Sequence, residues 1–198
     1  MLALVPLLAL ACGGSSDKTA TNATSTTTAA TAPATTTNAT PPHNSTGIAS
    51  VDAIIAAVAV GDAPALRQVI RYAPVACSFK QEGAGAPPLC RTGEAEAQQV
   101  AVLAMAQCEG FYARPDEFDI DRLPLAGSRL YAVYRTADAW PPGAYAVIFS
   151  VDKPQTNPAW EIIANDDGIA GVNFGCGQTP RQMTDFQHLT DVLLPPAP

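Results

Sequence analysis

Apolar and polar positions divide the chain into three stretches of different character. Leu2–Ala11 (LALVPLLALA) is an unbroken apolar run, too short to cross a bilayer as a helix but matching the hydrophobic region of a signal peptide in length. Ser15–Thr46 contains no Val, Leu, Ile, Met or aromatic residue. From residue 47 onwards apolar side chains recur with a period. Val51, Ile54, Ile55 and Val58 fall at helical spacing, which predicts a first helix with Ser50 as its N-cap. Gly61 ends it, and Asp62 caps a second helix with Pro64 tolerated in its first turn. Leu66, Val69 and Ile70 extend the apolar stripe, with Arg67, Gln68 and Arg71 on a solvated face opposite.

Glu94–Gln107 reads two ways: its Ala and Glu content favours helix, while Val100–Met105 fits a buried strand. Beyond it the period falls to two. Ser128–Thr136 is a strand candidate, and Ala144–Val151 places Tyr145, Val147, Phe149 and Val151 on one face, with Pro141-Pro142-Gly143 marking the turn between them. Trp160–Ala164 and Ile169–Phe174 flank Asn165-Asp166-Asp167-Gly168. Its Asp-Gly step signals a hairpin, because both central positions of a tight turn can take positive φ there. Helices first and a meander after predict an α+β domain with N-terminal helices packed on a curved antiparallel sheet, cone-like or cystatin-like.

Composition explains the silent middle stretch. Ser15–Thr46 holds 12 threonines among 32 residues, together with Ala, Asn, Ser and Pro. Nothing in it offsets the entropy of ordering, so it is expected to be a disordered tether with a reach on the order of 30 Å. His43 lies in it, away from any expected site. The segment before it ends Ala9-Leu10-Ala11-Cys12 and continues Gly13-Gly14-Ser15-Ser16-Asp17. This resembles the lipobox of bacterial lipoproteins, in which small residues precede a cysteine that is acylated and becomes the new N-terminus. The resemblance implies a signal peptide over 1–11 and lipid (palmitate) on Cys12; composition then divides the rest into a tether over 12–46 and a globular domain over 47–198. The resemblance also implies a location in the cell envelope, outside the cytoplasmic membrane. Acyl chains supply roughly 0.8 kcal/mol per buried methylene, and two or more hold stably.

Charge narrows the partners. Asp17 and Lys18 cancel, so the net charge of −7 falls entirely on residues 47–198. Such a domain is not expected to bind nucleic acid or to be drawn to anionic headgroups. Four further cysteines, Cys77, Cys90, Cys108 and Cys176, suggest disulfides in an exported chain, and four allow three connectivities. Cys77 with Cys90 is favoured, because the Gly- and Pro-rich SFKQEGAGAPPL between them would otherwise be a loose loop; Cys108 with Cys176 follows. No Cys-x-x-Cys pair and a single domain histidine argue against zinc.

The opening SVDAIIAAVAVGDAPALRQVI, a helix interrupted at Gly61-Asp62 and resumed, resembles the first helices of the nuclear transport factor 2-like superfamily. That resemblance implies a cone-shaped sheet around a pocket, in a group that includes steroid isomerases, polyketide cyclases and catalytically silent binding domains. It fixes no activity by itself.

Catalytic chemistry has few carriers. A nucleophile needs an adjacent base, and His188 is the only histidine of the domain; no Gly-x-Ser-x-Gly elbow or phosphate-cradling glycine motif is present. Asp116, Glu117, Asp119 and Asp121 (PDEFDID) form the densest acidic cluster, and Asp116, Asp119 and Asp121 are the metal candidates, for calcium with its six to eight oxygen ligands. Glu109 and Asp167 are explained without catalysis. Tyr131, Tyr145 and Trp160 fall on strands and are the ligand-pocket candidates. The expected protein is a membrane-anchored lipoprotein whose domain, without cofactor, is a non-enzymatic module for a small apolar ligand or an envelope protein. The alternatives are a small pocket enzyme of the isomerase or cyclase type and a calcium-dependent envelope module.

Overall fold

A computed structural model describes residues 45–137, 140–152, 157–186 and 189–197. Cys12, the stretch up to residue 44 and His188 lie outside the described residues.

Asp52 sets where the first helix begins. Its carboxylate accepts from the Thr46 amide (2.7 Å) and hydroxyl (2.8 Å), the Ser45 hydroxyl (2.8 Å) and the Gly47 amide (3.2 Å). Helix α1 therefore runs Ala49–Val60 with Ile48 as its N-cap. Ser50, expected as the cap, lies inside the first turn instead and donates its hydroxyl to the Asn165 carbonyl at 2.9 Å. The carboxylate one turn in gathers the preceding chain, so no side-chain cap is needed at position 48. Burial pushes the Asp52 carboxyl up, and the hydrogen bonds from Thr46, Ser45 and Gly47 outweigh it, leaving it below its ordinary value. Gly61 closes α1 in the left-handed region, and Asp62 accepts from the Ala65 amide at 3.0 Å to open α2, Ala63–Gln68.

Eight strands follow: β1 Ala73–Ala76, β2 Gln99–Ala106, β3 Gly110–Ala113, β4 Ser128–Thr136, β5 Tyr145–Val151, β6 Ala159–Asn165, β7 Gly168–Asn173 and β8 Leu189–Leu194, with helix α3 over Pro180–Phe186. They form one sheet in the order β1-β2-β7-β6-β5-β4-β8, with β3 also on β2. The fold is α+β. The expected meander is present from β4 to β7, each step antiparallel, but the sheet as a whole is mixed. The meander returns β7 to the side of β2, and Ala104–Ala106 pair in parallel with Gly171–Asn173. Strand β2 is shared along its length: its first half pairs with β1 and its second with β3.

The ambiguous 94–107 segment resolves as turn then strand. Glu94 and Glu96 capture the backbone amides of Arg91 (2.7 Å) and Phe79 (2.6 Å), which holds the chain in a loop until β2 begins.

Two clusters cover the two faces of the sheet. On one, Val51, Ile54 and Val58 of α1 and Leu66 of α2 meet Leu103, Val147, Phe149, Trp160 and Ile162. On the other, Met183 of α3 closes over Ala132, Ala146, Ile148, Ala159 and Ile163. Strands β5 and β6 are thus buried on both faces. Glu161 points to that second side, fully buried, and accepts from the Asn173 side-chain Nδ2 at 3.1 Å.

The β6–β7 hairpin has Asp166-Asp167 as its two turn residues, with Asn165 opposite Gly168. Neither aspartate takes positive φ; Gly168 does, at +145°. A neighbouring segment also lies against this position. The Val69 carbonyl accepts from the Ile169 amide and the Ile169 carbonyl accepts from the Arg71 amide, both at 2.8 Å, so the chain after α2 runs hard against β7 at this point.

Cys77 is bonded to Cys90 and Cys108 to Cys176. The first bond lies in a small cluster with Val75, Val100, Val102 and Tyr112. The second joins the turn after β2 to a 3-10 turn at Gly175–Gly177.

Candidate functional site

Among the described residues, a groove of about 400 Å³ with a mainly apolar lining lies over β1, β2 and β7. Its floor is Val75, Val102, Ala104 and Ala170, and Tyr72 and Tyr112 form walls. Pro142 and Gly143 of the β4–β5 connection close another side, and Arg71, Asn165 and Asp167 sit at the rim. Arg71 Nε lies 3.7 Å from the Asp167 carboxylate, the two side chains 44% and 69% exposed, a contact that orients more than it stabilises.

The walls are fixed from below. Val75, Val102 and Tyr112 belong to the cluster that contains the Cys77–Cys90 bond, so the disulfide braces the floor. Tyr112 meets the Trp140 ring edge-on, centroids 5.3 Å apart at 85°, and the Trp140 indole donates to the Met105 carbonyl at 3.3 Å. Gly110 makes room for that indole: a Cβ there would stand 2.2 Å from Nε1. Burial pushes the Tyr112 phenol up, and that of Tyr72 as well, with Arg67 opposing it in the latter. Both therefore stay neutral hydroxyls at physiological pH, able to donate or accept a hydrogen bond.

A charge cluster clamps the loop that carries this wall. Arg114 is buried and makes paired hydrogen bonds to the Glu94 carboxylate at 2.6 and 2.7 Å, with a third to the Leu89 carbonyl at 2.9 Å. Arg91 reaches Asp116 at 2.8 and 3.1 Å and Glu117 at 2.5 Å. Glu117 also accepts from the Arg114 amide at 2.9 Å. The disulfide loop and the acidic turn after β3 are thereby tied together.

The Arg114 guanidinium and the Arg91 amide hold the Glu94 carboxyl down, at about 2. A carboxyl lowered on folding adds stability that is complete above its ordinary value, near 4.5, and is lost as pH falls towards 2. Asp52, Asp116 and Glu117 are lowered too and act in the same sense. The melting temperature is therefore expected to fall steadily from pH 5 to pH 2. Glu94→Gln is expected to start lower at neutral pH and to show a shallower fall over that window; a parallel curve would show that Glu94 is not responsible.

The other sequence candidates are dispersed. Asp116 pairs with Arg91; Asp119 accepts from the Asp121 amide at 3.1 Å and lies 3.6 Å from Arg122; Asp121 lies 3.4 Å from Arg67. Each carboxylate faces its own arginine. Among the described residues, the one group of three metal-ligating side chains with donor atoms within 4.8 Å is Cys77, Cys90 and Glu94, and its two sulfurs are bonded to each other. Trp160 is fully buried, stacked on Phe149 at 4.9 Å, and donates to the Ser128 hydroxyl at 2.8 Å. Tyr145 is buried and donates to Asp166 at 2.7 Å, with the Arg135 guanidinium 5.3 Å from its ring centre. Tyr131 packs half-buried beside the Met183 cluster. None of the three lines the groove. The groove residues escape sequence reasoning because Tyr112 sits in a strand of four residues (GFYA), too short to show a period, and its partners come from separate strands.

Fold and site together define a disulfide-braced α+β domain with one mixed sheet and a mainly apolar groove over β1, β2 and β7. Comparison with protein-family models, curated proteins and solved structures gives no match to the chain.

Proposed function

We propose that the chain is a bacterial envelope lipoprotein, anchored by lipid on Cys12, whose domain is a non-enzymatic module binding a small apolar ligand in the groove between Tyr72 and Tyr112. The observation that carries the binding reading is the groove itself: an apolar floor between two neutral phenols, braced by a disulfide, with its rim charges turned towards each other. A flat apolar molecule with one polar end suits such a lining. The anchoring reading rests on the Ala9-Leu10-Ala11-Cys12 sequence and the threonine-rich stretch after it. Two disulfides suit an oxidising compartment outside the cytoplasm.

Both halves are testable on the full chain. Cys12→Ser is expected to move the protein from the membrane pellet to the soluble fraction, and retention in the pellet would remove the anchor. For the groove, native mass spectrometry of the protein from its envelope is expected to show a bound small molecule that is lost on denaturation. Tyr112→Ala is expected to weaken that binding about tenfold, equivalent to ~1.4 kcal/mol of lost contact. A bare chain in both states would end the small-ligand reading.

A further inference from the structure

The two disulfides differ in their surroundings more than in their chemistry. Cys77 and Cys90 are 2% and 8% exposed and are packed among Val75, Val100, Val102 and Tyr112. Cys108 and Cys176 are both exposed, as are their neighbours Gln107, Glu109 and Gly177. A thiolate must reach a sulfur to exchange with it, and the second pair is the more open to approach. Its backbone points the same way. Cys176 has φ 47° and ψ 43°, between Gly175 at φ 72° and Gly177 at φ 75°. Three consecutive residues in the left-handed region include one with a side chain, a conformation a non-glycine residue adopts at a cost.

We propose that Cys108–Cys176 is a thiol-exchange site of the folded domain, opened by small thiols and dithiols from solvent while Cys77–Cys90 stays closed. The incoming thiolate bonds to one sulfur of the pair. The Cys108–Cys176 bond breaks, and its electron pair leaves on the other sulfur, which takes a proton from water. A second thiolate then attacks the reductant's sulfur in the mixed disulfide, freeing the second cysteine and leaving the reductant as its disulfide. The protein gains two electrons and the thiol pair loses them.

The surrounding structure lets this happen without unfolding. The Gly175 amide donates to the Asn173 side chain at 2.9 Å, which is itself bound to buried Glu161. The Gly177 amide donates to Asn157 at 3.0 Å, and the Gln178 amide to the Gly175 carbonyl at 2.7 Å. The turn keeps these anchors when the sulfurs part. The other pair is also held by backbone bonds, Cys90 amide to Ser78 carbonyl at 3.0 Å and Cys77 amide to Gln98 carbonyl at 2.8 Å, but its sulfurs are packed among Val75, Val100, Val102 and Tyr112, so parting them would disturb that cluster.

The test is a graded titration of the oxidised full chain with dithiothreitol, followed by alkylation and peptide mapping. Cys108 and Cys176 are expected to be labelled at a reductant concentration about tenfold or more below that needed for Cys77 and Cys90, with the near-ultraviolet circular dichroism unchanged. Removing the reductant under air is expected to restore the unlabelled state. Labelling of both pairs together, labelling of Cys77 and Cys90 first, or labelling only as the circular dichroism signal collapses would each overturn the proposal.

Discussion

Trp160→Ala is expected to cost about 4 kcal/mol of folding stability, the usual range for emptying a fully buried aromatic site. The indole is wholly enclosed, stacked on Phe149 with the planes 24° apart, and its N–H is used by the Ser128 hydroxyl. That hydroxyl in turn donates to the Pro124 carbonyl. Removing the ring therefore empties a space between β6 and α1, strips Phe149 of its neighbour, and leaves the Ser128 oxygen without its donor. For a domain of this size the loss corresponds to a melting temperature about 10 °C lower. Urea denaturation should show a lower midpoint with an unchanged slope, the mark of lost stability in the native state. Trp160→Phe, which keeps the stack and loses the N–H, is expected to retain most of the stability. An alanine variant as stable as the parent would mean that Trp160 is not a core residue.

Gly168→Ala is expected to be the most damaging single-methyl addition, by about 3 kcal/mol or more. Two costs add there. At φ +145° a side chain is disfavoured whatever surrounds it, and a Cβ would stand 2.1 Å from the Val69 carbonyl oxygen, which is backbone and cannot swing aside. The methyl would have to break the paired hydrogen bonds between residues 69–71 and Ile169, detaching α2 from β7. Gly61→Ala serves as the control: its φ is also positive, at 69°, but no atom lies within 4 Å of the added carbon. It is expected to cost about 1 kcal/mol. Equal losses in the two variants would remove steric contact as the cause.

Local chemistry made some of this fold readable from the residues. Gly61-Asp62-Ala63-Pro64 carries a helix stop and a helix start within four positions, and each residue does what its backbone preference dictates. The loop between Cys77 and Cys90 points to its own closure, because only a bond holds such a sequence still. Strand β5 is visible from its alternation, but the alternation misleads about its surroundings: Ala146 and Ile148, on the side opposite Val147, are buried as deeply. A strand covered on both faces carries no polar half to mark which side is which. For that reason Trp160 and Tyr145 are legible as strand residues, while the depth of their burial is not.

What joins distant segments leaves no local trace. Nothing near Ala104 specifies Gly171 as its parallel neighbour, and nothing near Tyr112 specifies Tyr72 across the groove. The acidic run 116–121 reads as a cluster along the chain, yet two of its arginine partners, Arg91 and Arg67, come from earlier in the chain. Charge density was visible; charge pairing across the chain was not. Ser50 was displaced as a cap for a similar reason, since the carboxylate that organises the helix start lies two residues further on.

The parallel pairing of β2 with β7 also sets an order of assembly. Strands β4 to β7 are joined in succession and close with short connections, so they form early once present. Strand β2 emerges from the ribosome well before its partner, and its inner edge has no mate until residue 173 has been made. Closing that long loop is entropically late. The first half of the domain can pair β2 with β1 and β3 by itself, but the sheet is joined into one only when the second half supplies β7.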